Sequence, residues 1–153
     1  MSIKPDQLRE YVIQPALRYI GAYSEDAEEL LMLTAAQESH LGQYLHQVKG
    51  PALGIFQMEP STAQDIYDNF LIYRPHLLTL VSDLAIGQHV EEEMCGNLYY
   101  AAAMARCTYL RHSEPLPDKD DLRGLAEYYK KYYNTVKGAA KLEDIFENYH
   151  RYT

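Results

Sequence analysis

A single carboxylate, Glu38, stands at the end of LLMLTAAQES (30–39), a segment whose apolar residues recur at helical spacing. Ala27, Leu31, Thr34 and Glu38 follow one another by three or four residues, which places them on one side of a helix. An acid there is partly stripped of water and lies near the negative end of the helix dipole, and both effects favour its protonated form. A carboxylic acid that keeps its proton near neutral pH can serve as a general acid and, once ionised, as a general base. An isolated glutamate near a helix end is usually a cap or a surface pair, so the loop that follows is what gives Glu38 weight. There Gly54 permits close backbone approach by a ligand, Gln57 offers an amide that both donates and accepts, and Phe56 and Met58 offer apolar wall.

Other reactive residues point to less chemistry. Ser39 has no nucleophile elbow around it, which argues against a serine hydrolase. The six histidines form neither an HExxH pair nor a Cys/His spacing that suits zinc, so no metal site is expected. Cys95 and Cys107 read as small core residues, and their positions do not decide whether they pair. Glu91 to Glu93 read as a solvated acidic face. The aromatic content is unusual, with fifteen Tyr, three Phe and no Trp. Tyr128, Tyr129, Tyr132 and Tyr133 make two columns at i, i+4 spacing, which lets one column face the core and the other a cleft. Core packing suits two of the four, and Tyr133, beside Asn134, is the candidate for the cleft.

These residues need a scaffold, and the periodicity supplies a mainly α one. A helix is expected over about 5–22, kinked or split by Pro15. Ser24 is a good N-cap, with Glu25 and Asp26 in the first turn, for a helix running to about Leu41 and stopped by Gly42. The stretch GQYLHQVKGPALGIFQ (42–57) is turn-rich, with a short hairpin near 43–58 as the only expected β element. Pro60 suits a first helical position, Pro75 opens a short helix toward Ile86, and HVEEEM (89–94) has no decisive period. An Ala-rich buried helix is expected from Asn97, ended before Pro115 and Pro117. Helices over 122–133 and 142–152, separated by NTVKGAAK, complete the chain.

The 153 residues fit one domain, 1–153, with 47% hydrophobic and 24% charged residues, a globular composition. Fourteen Lys plus Arg against twenty-two Asp plus Glu give a net charge of -8, which disfavours nucleic acid and anionic membranes as partners. Lys49, Lys130, Lys131, Lys137 and Lys141 leave room for a local basic border. No apolar run reaches transmembrane length, and MSIKPDQLRE lacks the apolar core of a signal peptide. Action outside a cell would therefore need delivery by something else.

Taken together, Glu38–Ser39, GIFQMEPSTA (54–63), Asn97 ahead of YLR (109–111) and YYNT (132–135) follow a familiar order and spacing. Over about 30–140 the chain resembles the soluble lytic transglycosylase and goose-type lysozyme family, in particular the small transglycosylase-like proteins of tailed bacteriophages. The resemblance implies a lysozyme-like, mainly α fold and cleavage of the β-1,4 bond between N-acetylmuramic acid and N-acetylglucosamine in peptidoglycan, without a cofactor. It implies Glu38 as the acid/base and Ser39 as a hydrogen-bonding residue near the reacting sugar. Gly54, Phe56, Gln57 and Met58 would line the cleft, and Tyr133 and Asn134 would border it and orient Glu38. Asn97 would pack or cap a helix.

Glycosidases commonly use two carboxyl groups, about 5 Å apart for retention or roughly 6.5 to 9.5 Å apart for inversion. The transglycosylase route needs one: Glu38 protonates the glycosidic oxygen, the substrate's acetamido group stabilises the cation, and Glu38 then takes the proton of the C6 hydroxyl to close a 1,6-anhydro ring. Hydrolysis would need a positioned water, for which Glu59, Asp65 and Asp68 are the nearest acids; Glu59 is the candidate second carboxylate. The expected partners are glycan strands and other virion proteins, and the expected setting is a phage particle, or host cytoplasm before delivery to the wall. A hydrolytic muramidase and a non-catalytic glycan-binding or structural virion module are the alternatives. His40, QVKGPAL (47–53) and TVKGAA (135–140) depart from the family pattern and bear on sugar subsites.

Overall fold

The computed structural model describes residues 1–87, 89–134 and 140–153. They are mainly helical, and among them the β structure is limited to isolated bridges. The first rod is continuous through α1 (Pro5–Leu8), a π-turn (Arg9–Ile13) and α2 (Gln14–Tyr19). Pro15 has no N–H, and its ring crowds the carbonyl four residues earlier. The turn ahead of it is widened, with the Gln14 N–H bonded to the Arg9 carbonyl, so the expected kink takes the form of a π-turn. Arg9 in that turn reaches Glu29 at 2.7 Å and Glu28 at 3.1 Å, and the Tyr149 hydroxyl donates to Glu29. One cluster thus ties the rod to the next helix and to the last.

That next helix, α3 (Glu25–Ser39), starts as expected: the Ser24 hydroxyl oxygen accepts the Ala27 N–H at 3.0 Å. Its burial is different from a single apolar stripe. Leu30, Leu31, Met32 and Leu33 span all sides of the helix, and each has no exposed surface. α3 is the central helix, packed against the π-turn and three later helices over Leu98–Leu110, Leu122–Tyr132 and Leu142–Tyr152. It ends at Ser39 rather than Leu41. His40, Leu41 and Gly42 are all left-handed, with φ of 52°, 58° and 88°, and the N–H groups of His40 and Leu41 both reach the Ala35 carbonyl. Two non-glycine residues in that region cost about 1 kcal/mol or more each. Tertiary contacts hold them there: Leu41 is fully buried and its carbonyl accepts the Ile3 N–H at 2.9 Å, the Ser2 hydroxyl donates to the His40 carbonyl at 2.6 Å, and the His40 ring stacks on Tyr152 with centroids 4.6 Å apart.

The expected hairpin reduces to two antiparallel bridges, His46 with Leu53 and Leu53 with Met58. Pro60 opens α4 (Pro60–Asn69) and Pro75 opens α5 (Pro75–Leu84), with a 3-10 turn (Leu71–Tyr73) between them. HVEEEM contributes to α6 (Val90–Gly96), and its acids are not uniformly solvated. Glu91 and Glu92 are exposed, but Glu93 is 5% exposed. It accepts from the Ile86 N–H at 2.9 Å, from the Gly87 N–H and from Asn97 Nδ2 at 2.7 Å, which corrects the solvated-face expectation. A buried carboxylate is tolerable there because backbone donors replace its water.

Asn97 caps α7 (Leu98–Leu110) by accepting the Tyr100 N–H at 3.0 Å. α7 is buried from Tyr100 to Tyr109, and its alanines let neighbouring helices approach closely. Cys107 lies in this core, whereas Cys95 is half-buried with its thiol donating to the Leu45 carbonyl at 3.3 Å; both are free thiols. α8 (Leu122–Tyr132), capped by Asp121, and α9 (Leu142–Tyr152) close over α3. The expected interruption by NTVKGAAK, its TVKGAA departure and Lys137 fall largely on 135–139, outside the described residues. No helix among the described residues is long and apolar enough to cross a membrane.

Candidate active site

The end of α3, the loop before α4, the first turns of α4 and the ends of α7 and α8 converge on a groove of about 270 Å³. Glu38 lines it, half-buried, together with Gln57, Met58, Tyr133 and Asn134. The Tyr129 hydroxyl donates to Glu38 Oε2, and Asn134 Nδ2 donates to the Tyr129 oxygen at 3.2 Å. A chain Asn134→Tyr129→Glu38 therefore fixes the carboxylate from behind. Tyr133 does something else: its hydroxyl donates to the Phe56 carbonyl at 2.7 Å and so pins the loop to α8.

The expected Tyr133–Asn134 pair thus borders the groove, but the phenol on Glu38 is Tyr129, one helical turn earlier. The two-column pattern did not single it out. Tyr128 and Tyr129 are buried, while Tyr132 and Tyr133 line the groove, so the division runs along the helix rather than between the columns. A usable signal existed, because Tyr129 shares the column of Tyr133 and a contact to Glu38 is open to either.

Burial, then the charge of Glu38 and its hydrogen bond, pushes the Tyr129 hydroxyl well above its ordinary pKa; burial and the same charge do so for Tyr133. Both remain neutral donors near pH 7. Tyr129→Phe removes the donor that orients Glu38 Oε2. With Glu38 acting as the proton carrier, turnover should fall by about one to two powers of ten as the carboxylate loses its support. Unchanged turnover per folded molecule would show that Tyr129 only packs.

Ser39, expected beside the reacting sugar, is fully buried away from the groove. Its hydroxyl lies 2.6 Å from the Ile55 carbonyl and 3.2 Å from that of Ala35, and it accepts the Gly42 N–H at 2.8 Å. One proton serves one acceptor well, so Ser39 is a staple between the end of α3 and the loop. Gly54 is also not at the groove surface. Its φ of 78° suits glycine, and the backbone that approaches it is the Met94 carbonyl of α6 rather than a ligand. Phe56 is fully buried and contributes its carbonyl to Tyr133, not its ring to the wall. Gln57 does line the groove, with φ of 48° and its Nε2 donating to the Gly54 carbonyl at 2.9 Å. Met58 supplies apolar wall.

Of the other acids, Glu59 and Asp65 line the groove and Asp68 does not. Glu59 is extended ahead of α4, and its carboxylate makes no hydrogen bond or ion pair among the described residues. Both oxygens of Asp65 are engaged, one by Asn69 at 2.6 Å and one by Arg111 at 2.7 Å. Those two bonds hold the Asp65 carboxyl below its ordinary pKa, which suits an orienting anion better than a base. Comparison of the chain with protein-family models, curated proteins and solved structures finds no match.

Proposed function

We propose that the groove cleaves the glycan strands of peptidoglycan by general acid/base catalysis through Glu38, in a lysozyme-like domain of lytic transglycosylase type. The observation that carries the reading is the Asn134→Tyr129→Glu38 chain in the wall of a groove that Gln57 and Tyr133 also line. It supports one oriented carboxylate as the proton carrier at both steps. Glu38 gives its proton to the glycosidic oxygen as the C1–O bond breaks, and the acetamido oxygen of the muramic acid stabilises the cation. The ionised Glu38 then takes the C6 hydroxyl proton while that oxygen bonds to C1, which closes the 1,6-anhydro ring and returns Glu38 to its starting state. Gln57, tethered through its Nε2 to the loop, keeps a carbonyl oxygen as an acceptor for sugar hydroxyl or amide groups.

Hydrolysis is the second reading, favoured by Glu59, whose unengaged carboxylate lines the same groove and could position a water. Mass analysis of purified sacculi after digestion separates the two. Transglycosylation predicts 1,6-anhydro muramic ends throughout the released fragments. Reducing muramic ends, lost in a Glu59→Gln variant, would assign hydrolysis instead, and intact sacculi would remove both readings.

A further inference from the structure

The charges around the groove are uneven. Glu38, Glu59 and Asp65 line it, and the cation among its described lining residues is Arg111, at the end of α7, in a chain of net charge -8. A neutral sugar polymer needs no cation in its groove. Arg111 is held in place from one side: its Nη1 donates to Asp65 Oδ2 at 2.7 Å, and Asn69 fixes the other Asp65 oxygen at 2.6 Å. That bond uses one of the five N–H donors of the guanidinium. Its Nε is buried without a partner, an uncommon state for a polar group in a folded protein, while 23% of the side chain remains accessible. An arginine fixed by one carboxylate through Nη1, with its Nη2 donors unspent, is set up to take a second carboxylate.

We propose that Arg111, oriented by Asp65, binds a carboxylate carried by the glycan strand, and so makes the groove selective for anionic over neutral strands. The assignment rests on the reading of the groove as a peptidoglycan-cleaving site. Two sources share this chemistry. A stem peptide carries carboxylates of its own, whereas a strand stripped of peptides exposes the lactyl carboxylate of each muramic acid, which the peptide otherwise holds as an amide. Arg111 binds but does not transfer a proton, so its effect belongs in KM.

The test uses three substrates: peptide-bearing strands, strands stripped of peptides, and stripped strands whose lactyl carboxylates are converted to methylamides. For wild type, Arg111→Met and Asp65→Asn, kcat and KM are measured on each, and every value is expressed as a ratio to the neutral methylamide strands of the same variant. That ratio cancels any loss of folded protein. Arg111→Met should lower the kcat/KM ratio about tenfold for one of the anionic substrates, chiefly through KM, and Asp65→Asn should lower it in the same direction. A loss confined to peptide-bearing strands assigns the stem peptide as the source, and a loss confined to stripped strands assigns the lactyl group. Equal ratios in wild type and Arg111→Met overturn the proposal and leave Arg111 a tie between α4 and α7. Wild-type protein that cleaves none of the three removes the functional reading itself, and this assignment with it.

Discussion

Glu38→Gln should lose about two to four powers of ten in turnover on purified sacculi, the range that a positioned acid/base supplies. Glutamine keeps the volume of the side chain and an oxygen that accepts the Tyr129 hydroxyl, so the chain Asn134→Tyr129→38 survives while the transferable proton does not. The fold should change little, because the site is half-buried and the replacement has the same shape. Activity measured by turbidity and a thermal melt on the same preparation therefore report different things. A melt close to that of the parent with activity gone is the expected pair. Full clearing activity in this variant would mean that another group carries the proton, and Glu59 would be the first to examine, since Asp65 has both oxygens committed.

The Tyr129→Phe result complements this one. Glu38→Gln removes the proton carrier and leaves its support, whereas Tyr129→Phe leaves the carrier and removes the support. If Glu38 works as proposed, the first removes nearly all turnover and the second leaves a reduced but measurable rate.

Much of the scaffold was legible because its signals are local. The Ser24 and Asn97 caps, and the helix starts at Pro60 and Pro75, each depend on residues within one turn, and each appears where the sequence put it. The all-round burial of α3 was harder to read, since a central helix is defined by the elements that surround it, and those pack from both ends of the chain. The site divides in the same way. Glu38 and Gln57 line the groove, and both belong to short motifs. Tyr129 lies 91 positions from Glu38, the carbonyl that holds Ser39 lies 16 positions along, and the backbone against Gly54 belongs to α6. No period or spacing carries partners at that distance. Glu93 was missed for a different reason: its donors lie only four to seven positions away, in the turn before α6 and at Asn97, but an acidic run shows no sign that this turn folds back onto it.

Gly54→Ala should be the most damaging single methyl group that can be added to this loop. A φ of 78° costs an alanine about 1 kcal/mol or more. Its Cβ would also overlap the Met94 carbonyl oxygen, a backbone atom of α6 that cannot swing away as a side-chain end would. Together these should cost about 2–4 kcal/mol, which for a chain of 153 residues lowers Tm by roughly 5–15 °C. Gly96→Ala is the control in the same region, because a Cβ there meets nothing within 4 Å, and it should cause no comparable loss. The damage should extend to the groove even well below the melt. The Gly54 carbonyl accepts both the backbone N–H of Gln57 at 3.0 Å and its Nε2 at 2.9 Å, the next residue's carbonyl holds Ser39, and the one after that holds Tyr133. Moving the loop away from α6 therefore moves Gln57 and loosens the ends of α3 and α8 together, and KM and kcat should both worsen at temperatures where the protein is still folded. A variant that melts within about 2 °C of the parent would show that α6 yields to the added methyl group, and the loop would then not be the rigid strut on which Glu38 and the tyrosines depend.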